Sequence, residues 1–466
     1  MDSPEISLRQ RLGAICSALE SGLVERRDAV RLSLLAALAG EHSLLIGPPG
    51  TAKSELARRL HRAFPDSPYF ERLLTRFTVP EELFGPLSIA ALEQDRYERQ
   101  TAGFLPQAGI AFIDEVFKAN SAILNALLTL LNEREFDNGA GRMRCPLISV
   151  VGATNLVPED EMGEAFFDRF LLRLVIEPVS RAGFAALLAL DEFADAGSRP
   201  ERLTQSDLQA LTAAARAATL PANVAALLAN LRAELSARGI YVSDRRWVKI
   251  RRLIATAAAA EGRAGISRWD LWLLPFCCAA QPDQQQDIDR WLTEHLGVSA
   301  GAEPLLVTRV VEAFEAQLQA EREANDLDYD ESGRLRFGAT DVDANVSDNK
   351  GASGAMRMSY TRKRRYGAAH IAARLAQIDD AVQRVQGYIA ALTELCADLD
   401  AYAAQALWLD PAFAGRARTC LQARLDALRA LCARALGARA GFENLPRLER
   451  DTGAVPEPIP VPALAT

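Results

Sequence analysis

Residues 42–60 read "HSLLIGPPGTAKSELARRL", and their interpretation decides the fold. An apolar run leads into a turn of two prolines and two glycines, and a lysine and a serine then open a helix. The stretch nearly repeats the phosphate-cradling pattern G-x-x-x-x-G-K-[ST], with Ala52 where the second glycine belongs. In such a turn, the backbone N–H groups and the first turn of the following helix converge on one spot that favours phosphate oxygens. Gly47, Pro48, Pro49, Gly50, Thr51, Ala52, Lys53, Ser54 and Glu55 are therefore the candidate nucleotide-binding residues. Lys53 would add charge at the terminal phosphates, and the Ser54 hydroxyl would take a place on Mg²⁺. Taken alone, the motif is also compatible with a plain strand, turn and helix.

A second run, "IAFIDEVFKAN" (residues 111–120 preceded by Ile110), supplies the complementary chemistry. Four apolar residues end in Asp114 and Glu115, the arrangement in which a buried strand offers one carboxylate to the Mg²⁺ shell and the next to a water. Acidic pairs at strand ends also cap helices; here the pair follows the lysine-serine turn in the order the chemistry requires.

The surrounding pattern alternates. Helical periodicity from Arg27 to Ala39 stops at Gly40, and strand-like runs are expected at Ser43–Ile46, Ile110–Ile113, Leu147–Val151 and Leu171–Ile176. Helical stretches such as "NSAILNALLTLLNER" separate them, which implies a parallel sheet between helices. Two inserts interrupt the alternation: "PLSIAALEQDRYERQTAGF", expected to be a hairpin-bearing excursion, and "EREFDNGAGRMRC", whose Asp137-Asn138-Gly139 is a hairpin turn signal. After about residue 200 only helical patterns remain, giving an α/β core over 1–198 and an all-α lid over 199–297. Residues 298–445 read as a helical bundle: a helix near 304–324, a polar segment over 325–360 with one short hairpin, and a long helical hairpin over 361–440. Apolar residues at Leu375, Ile378, Val382, Val385, Ile389, Leu392, Cys396 and Leu399 keep a 4-3 alternation. The proline-rich tail 446–466 is expected to be disordered.

Composition excludes several classes. The 466 residues carry 53 basic and 61 acidic groups, a net charge of -8, against a protein built chiefly to bind nucleic acid. Seven scattered cysteines without a C-x-x-C pair suggest neither a disulfide framework nor a zinc site. No apolar run approaches the roughly 20 residues needed to span a bilayer, and the start "MDSPEISLRQ" lacks signal-peptide character, so a cytoplasmic location without membrane association is expected.

These motifs resemble the AAA+ ATPases, within them the MoxR family and most closely its RavA-like branch. The resemblance covers about residues 10 to 297 and rests on "GPPGTAKSELARRL", "FTVPEELFGPLSIAAL", "GFLPQAGIAFIDEVFKANSAILNALLTLLNER", "GATNLVPE", "FFDRFLLRL" and "VSDRRW". It implies ATP or ADP and Mg²⁺ as ligands, Lys53 and Ser54 as phosphate and Mg²⁺ groups, Asp114 as the Mg²⁺ carboxylate and Glu115 as the water-activating base. It further implies Asn155 as the residue orienting that water and Arg169 as a finger reaching the neighbouring subunit's phosphate, with Arg173 a second candidate. Arg245 corresponds to a lid sensor reading the phosphate in cis, with Arg246 its alternative, and Val24 to an adenine-side contact.

The resemblance also implies a ring, hexameric in type, that remodels or matures a protein partner with a von Willebrand factor A domain protein. RavA-like proteins carry a small β-rich domain that binds a lysine decarboxylase. Here the 325–360 segment is too short for an independent sheet domain, so that partner is doubtful. Two rival readings are a nucleic-acid-associated motor, motivated by the basic run "RMSYTRKRR" (residues 357–365), and a nucleotide-gated scaffold with negligible turnover.

Overall fold

The computed structural model describes residues 7–64, 66–139, 141–157, 161–190, 202–296, 303–327, 361–449 and 453–464. Seven strands lie in the first half of the chain: β1 (His42–Ile46), β2 (Tyr69–Leu73), β3 (Ile110–Asp114), β4 (Glu135–Asn138), β5 (Gly141–Arg144), β6 (Ser149–Thr154) and β7 (Phe170–Val175). Five of them form a parallel sheet in the order β2-β3-β6-β1-β7. Strands β1 and β6 are buried along their whole length, as strands covered on both faces must be. Helices Arg27–Leu38, Lys53–Arg62 and Ser121–Glu133 supply apolar residues to the core. Ile123, Leu127 and Leu130 join Leu44, Ile46 and Ile113 in one cluster.

Four of these strands coincide with the expected runs. Strand β2 was not expected, for a physical reason: it lies at the sheet edge, and of "YFERL" only Phe70 is buried, so it lacks the continuous apolar signature of its neighbours. The first insert corrects its expectation. It holds a one-turn helix, Ile89–Leu92, capped by the Ser88 side chain, and closes through a single antiparallel bridge, Leu87 to Arg99, instead of a hairpin. The second insert is the antiparallel pair β4–β5, with Gly139 at φ +71°. The two inserts meet: Asn138 Oδ1 accepts from Arg99 N–H at 2.6 Å, and its Nδ2 donates to Arg99 O at 3.2 Å.

Helices Gln205–Ala217, Ala222–Ala237, Asp244–Ala260, Leu274–Cys278 and Pro282–His295 follow. The helix Asp244–Ala260 is anchored just ahead of β1, where the buried Glu41 carboxylate pairs with Lys249 at 2.9 Å and with Arg252. By packing, the chain falls into two compact units, residues 1–296 with 399–417, and 297–398 with 418–466. The link of the long helical hairpin thus belongs with the first unit, where the sequence had assigned it to the C-terminal bundle. Trp408 is buried there and donates from Nε1 to Ala257 O at 3.2 Å, while Leu407 N–H donates to Glu261 Oε1 at 2.6 Å.

The second unit holds the helix Pro304–Glu323 and most of the helices Ala368–Gln405 and Pro411–Glu443, which bury apolar seams. Examples are Val307, Val311 and Phe314, then Ile378, Val382 and Val385, then Leu421, Leu425 and Leu428. Strands β8 (Asn325–Leu327) and β9 (Thr361–Lys363) pair antiparallel. Residues 328–360, most of the polar segment and part of the basic run, lie outside the described residues. The expected disorder of the tail is corrected. Residues 453–464 run extended along the helix Ala368–Gln405, whose side chains bind the tail backbone. Arg374 Nη1 donates to Glu457 O at 2.7 Å, Gln377 pairs with both the N–H and C=O of Ile459, and Arg384 Nη1 donates to Leu464 O at 2.9 Å. Proline-rich backbone cannot build a ladder of its own but offers its carbonyls to donors on a neighbouring helix.

The buried start of β1 carries a testable pH dependence. His42 Nε2 faces Leu131 O at 3.1 Å and Nδ1 accepts from Val150 N–H at 3.0 Å, which defines a neutral ring protonated on Nε2. Burial depresses its pKa from 6.5 to about 3. The unfolded chain therefore takes up a proton near pH 6.5 that the folded chain refuses, and this group removes stability as pH falls from about 6.5 toward 3, at up to about 1.4 kcal/mol per pH unit. Nitrogen-detected NMR should show His42 still neutral at pH 5; a ring titrating near 6.5 would contradict this reading.

Candidate functional site

The C-terminal edge of the parallel sheet gathers the expected phosphate and acidic residues. The β1 ladder runs straight into the turn: Gly47 N–H donates to Thr154 O at 3.0 Å and Ile176 N–H to Ile46 O at 2.7 Å. Only glycine fits at 47, because a Cβ there would lie 2.1 Å from Ile176 O. Gly50 adopts φ +80° and Ala52, the residue just before the helix Lys53–Arg62, φ +65°. The glycine preference of the motif is thus a backbone requirement that Ala52 meets with strain. The first intrahelical bond is Leu56 N–H to Ala52 O, so the N–H groups of Lys53, Ser54 and Glu55 precede the helical ladder and face outward from its N-terminus.

Lys53 is buried, and its ammonium donates to Gly47 O at 2.6 Å and Pro48 O at 2.8 Å. Burial lowers its pKa, opposed by the charges of Asp114 and Glu115. Thr51 Oγ1 donates to Pro48 O at 2.9 Å. The Glu55 side chain pairs with Arg59 at 2.8 Å, leaving its backbone as its contribution to the loop.

Asp114 ends β3, and its Oδ1 accepts from Glu115 N–H at 2.9 Å. Glu115 stands in the left-handed region, φ +51° and ψ +45°, a conformation that costs a bulky residue of order 1–3 kcal/mol and clusters at functional sites. Its Oε1 accepts from Asn155 Nδ2 at 2.7 Å and lies 3.3 Å from Lys118 Nζ. Asn155 follows the last residue of β6, so Asp114, Glu115 and Asn155 come together beside the lysine turn. The hydroxyl of Ser54 and the carboxylate of Asp114 are hard oxygen donors of the kind Mg²⁺ takes, so the donor set fits that ion.

At this edge Arg26 escaped the sequence reading, and Glu25 entered it only as part of the segment Leu23-Val24-Glu25 that the resemblance matches to an adenine-side contact. Arg26 is buried and ties three segments together, donating to Thr51 O at 3.1 Å, Glu25 O at 2.9 Å and Glu177 O at 2.8 Å. In a charged run, "ERRD", nothing distinguishes it from a solvated arginine. Glu25, at φ +55°, accepts from Ser180 N–H at 2.7 Å and from Ser180 Oγ. A cavity of about 490 Å³ opens next to them, lined by Glu25, Arg26, Leu32, Glu177, Ser180 and Phe276 among others. Val24 is half-buried and does not line it.

The arginines lie elsewhere. Register pairs Phe170 with His42 and Val175 with Ile46, so Asp168, Arg169 and Phe170 sit at the sheet edge opposite the lysine turn, roughly 13 Å along the strand at about 3.3 Å per residue. There Arg246 is buried, donating to Cys277 O, Asp168 O, Phe170 O and Leu171 O. Arg173 is likewise buried, donating to Ala279 O at 2.9 Å and stacked 3.9 Å over the Phe167 ring. Arg169 and Arg245 are the more accessible pair, with side chains 18% and 53% exposed. The structure does not bring Arg245, expected to read the phosphate in cis, beside the lysine turn: its guanidinium lies 3.9 Å from Asp168, at the other edge of the sheet.

A parallel sheet in this strand order, a glycine-lysine-serine turn after β1, an acidic pair after β3 and an all-helical lid define an AAA+ ATPase. The sequence profile described as the MoxR domain in the MoxR-vWA-beta-propeller ternary systems matches residues 10–214, and an AAA lid domain profile matches residues 223–292. Two uncharacterized proteins of Methanocaldococcus jannaschii are 41% and 39% identical over 270 and 276 residues, covering 57% and 59% of this chain and 70% and 72% of theirs. Protein MoxR of Paracoccus denitrificans is 29% identical over 183 residues, 38% of this chain and 53% of its own. The chain belongs to the MoxR family of AAA+ ATPases. The RavA-like branch expected from the sequence is not the one that the matching description names.

The strain at Ala52 yields a direct test. Ala52→Gly should raise unfolding stability by about 0.5–1 kcal/mol, because glycine adopts φ +65° without the Cβ penalty. Urea denaturation measures it, and an unchanged or lower midpoint would contradict the strained turn.

Proposed function

We propose that the chain hydrolyses ATP in a Mg²⁺-dependent manner within a ring of its own copies, and uses the cycle to remodel or mature a protein partner. The observation that carries this reading is Glu115. A carboxylate strained into the left-handed region, held by Asn155 and set beside a buried lysine, suits a base that takes a proton from an attacking water. In this reading the N–H groups of the lysine turn and Lys53 bind the phosphates, Ser54 and Asp114 hold Mg²⁺, and Asn155 orients Glu115 and the water. Bound Mg²⁺ would neutralise charge on the phosphate oxygens.

A ring, hexameric by family resemblance, is supported by the arginines. Arg169 and Arg245 stand at the sheet edge away from their own turn, where they suit the phosphate of a neighbouring copy in a head-to-tail assembly. A von Willebrand factor A domain protein is the proposed partner, on the strength of the family description matched by residues 10–214. No helix among the described residues is long and apolar enough to cross a membrane, in keeping with the proposed cytoplasmic location. The segment that would bear on decarboxylase binding, 328–360, lies outside the described residues.

Paired substitutions test the chemistry. Lys53→Ala should abolish binding of a fluorescent ATP analogue, whereas Glu115→Gln should bind it with near wild-type affinity and lose hydrolysis by about 10²-fold or more. Equal binding by wild type and Lys53→Ala would overturn the phosphate site, and normal turnover by Glu115→Gln would overturn the base.

A further inference from the structure

Four arginines converge on one carboxylate at the edge opposite the lysine turn, and its two oxygens divide them. Asp168 Oδ1 lies 3.2 Å from Arg246 Nη1 and 3.9 Å from Arg173 Nη2, the two guanidinium groups that are buried and bound to backbone carbonyls. Asp168 Oδ2 lies 3.3 Å from Arg169 Nη1 and 3.9 Å from Arg245 Nη2, the two that are more accessible. One face of the carboxylate is anchored in the core and the other holds the outward pair.

We infer that Asp168 is the positioning residue for Arg169 and Arg245, holding both guanidinium groups on its Oδ2 so that they meet the phosphate of a neighbouring subunit as a pre-aligned pair. This inference rests on the proposed role of that pair. Electrostatics explains why such a holder is needed. Four guanidinium groups around one carboxylate leave a surplus of three positive charges, and burial together with the nearby Arg245 disfavours the charged form of Arg169, opposed by Asp168. Without Asp168 the two outward arginines repel and swing apart. With it both are drawn to one carboxylate oxygen, Arg169 by a hydrogen bond at 3.3 Å and Arg245 by charge at 3.9 Å, and an incoming phosphate oxygen can take that place. The Nε–H groups of Arg169 and Arg173 are both buried with no acceptor among the described residues, which adds to the cost of placing these charges here. The core side of the cluster is rigid by comparison, since Arg246 alone donates to four backbone carbonyls. Asp168 thereby fixes the outward pair to the helix Asp244–Ala260 and to the start of β7 at once.

The test is Asp168→Asn in the full-length protein, which keeps the volume and an acceptor for Arg246 but removes the charge. Turnover should fall by about 10²-fold, the order expected when a reacting group is displaced by about 1 Å. Affinity for an ATP analogue should stay within about threefold of wild type, since Asp168 is remote from the lysine turn of its own chain. The double variant Asp168→Asn/Arg169→Ala should be slower than Arg169→Ala by much less than the loss that Asp168→Asn causes in the wild-type background, because Asp168 then acts only through Arg245 and residues acting through one another are non-additive. Asp168→Glu keeps the charge while shifting the carboxylate by a methylene, and should lower kcat with an unchanged Tm; it serves as the test if the asparagine variant unfolds. Wild-type kcat in either stable variant, or losses that multiply in the double variant, would overturn the inference. If Arg169→Ala and Arg245→Ala themselves turn over normally, the reading of the pair falls and this inference with it. If those two are slow and Asp168→Asn is not, only this inference fails.

Discussion

The pairing of β1 with β6 on one side and β7 on the other is the constraint on which the rest of the molecule depends. Parallel strands share one polarity, so every loop that follows them opens on the same edge and every loop that precedes them on the other. The lysine turn, the acidic pair and Asn155 gather at one edge because they follow β1, β3 and β6. Asp168 and Arg169 stand at the other because they precede β7. The ladder continues through Gly47 and Ile176, fixing the turn so closely that no side chain fits at 47. A chain built this way holds Glu115 and Arg169 a strand length apart, which is why the proposed site unites them through a second copy.

Strain concentrates where the site is assembled. Of the five non-glycine residues in the left-handed region among the described residues, three, Glu25, Ala52 and Glu115, lie at this edge of the sheet, Asp95 and Arg134 being the others. Such conformations persist only where the surroundings over-determine them. Arg26 supplies much of that support, binding the carbonyls of Glu25, Thr51 and Glu177 at once, and Ser180 supplies the rest at Glu25. Glu115 is held by Asn155 and Lys118. The opposite edge is organised by charge instead, with Asp168 among four arginines and Glu41 between Lys249 and Arg252.

How much of this the sequence disclosed follows from the kind of signal each feature leaves. The buried strands β1, β3, β6 and β7 show as largely apolar runs, and the turn shows through its glycines, one needed for close approach at 47 and one at φ +80° at 50. The edge strand β2 carries Tyr69, Glu71 and Arg72 on a half-covered surface and leaves no such run. Two arginines in "DRRW" and two in "DRFLLR" look alike in sequence; burial against backbone carbonyls separates Arg246 and Arg173 from Arg245 and Arg169. Long-range packing is equally silent. The hairpin link around Trp408 joins the first unit through bonds to Ala257 and Glu261, and a tail whose composition suggests disorder is ordered by Arg374, Gln377 and Arg384 reading its backbone. Which edge of the sheet Arg245 meets was not legible either, because spacing along the chain says nothing about where a lid helix docks.

If a complete catalytic site needs two copies of the chain, mixing of subunits will reveal it. Arg169→Ala subunits retain their own lysine turn and base, and Lys53→Ala subunits retain their arginine pair. In a randomly mixed ring at equal amounts, one ordered junction in four, about 25%, joins an intact turn to an intact arginine. Each protein alone should be nearly inactive, and the co-assembled mixture should regain ATPase activity up to about a quarter of wild type. No recovery in rings shown to contain both subunits, or normal turnover by Arg169→Ala as a monomer, would contradict the account.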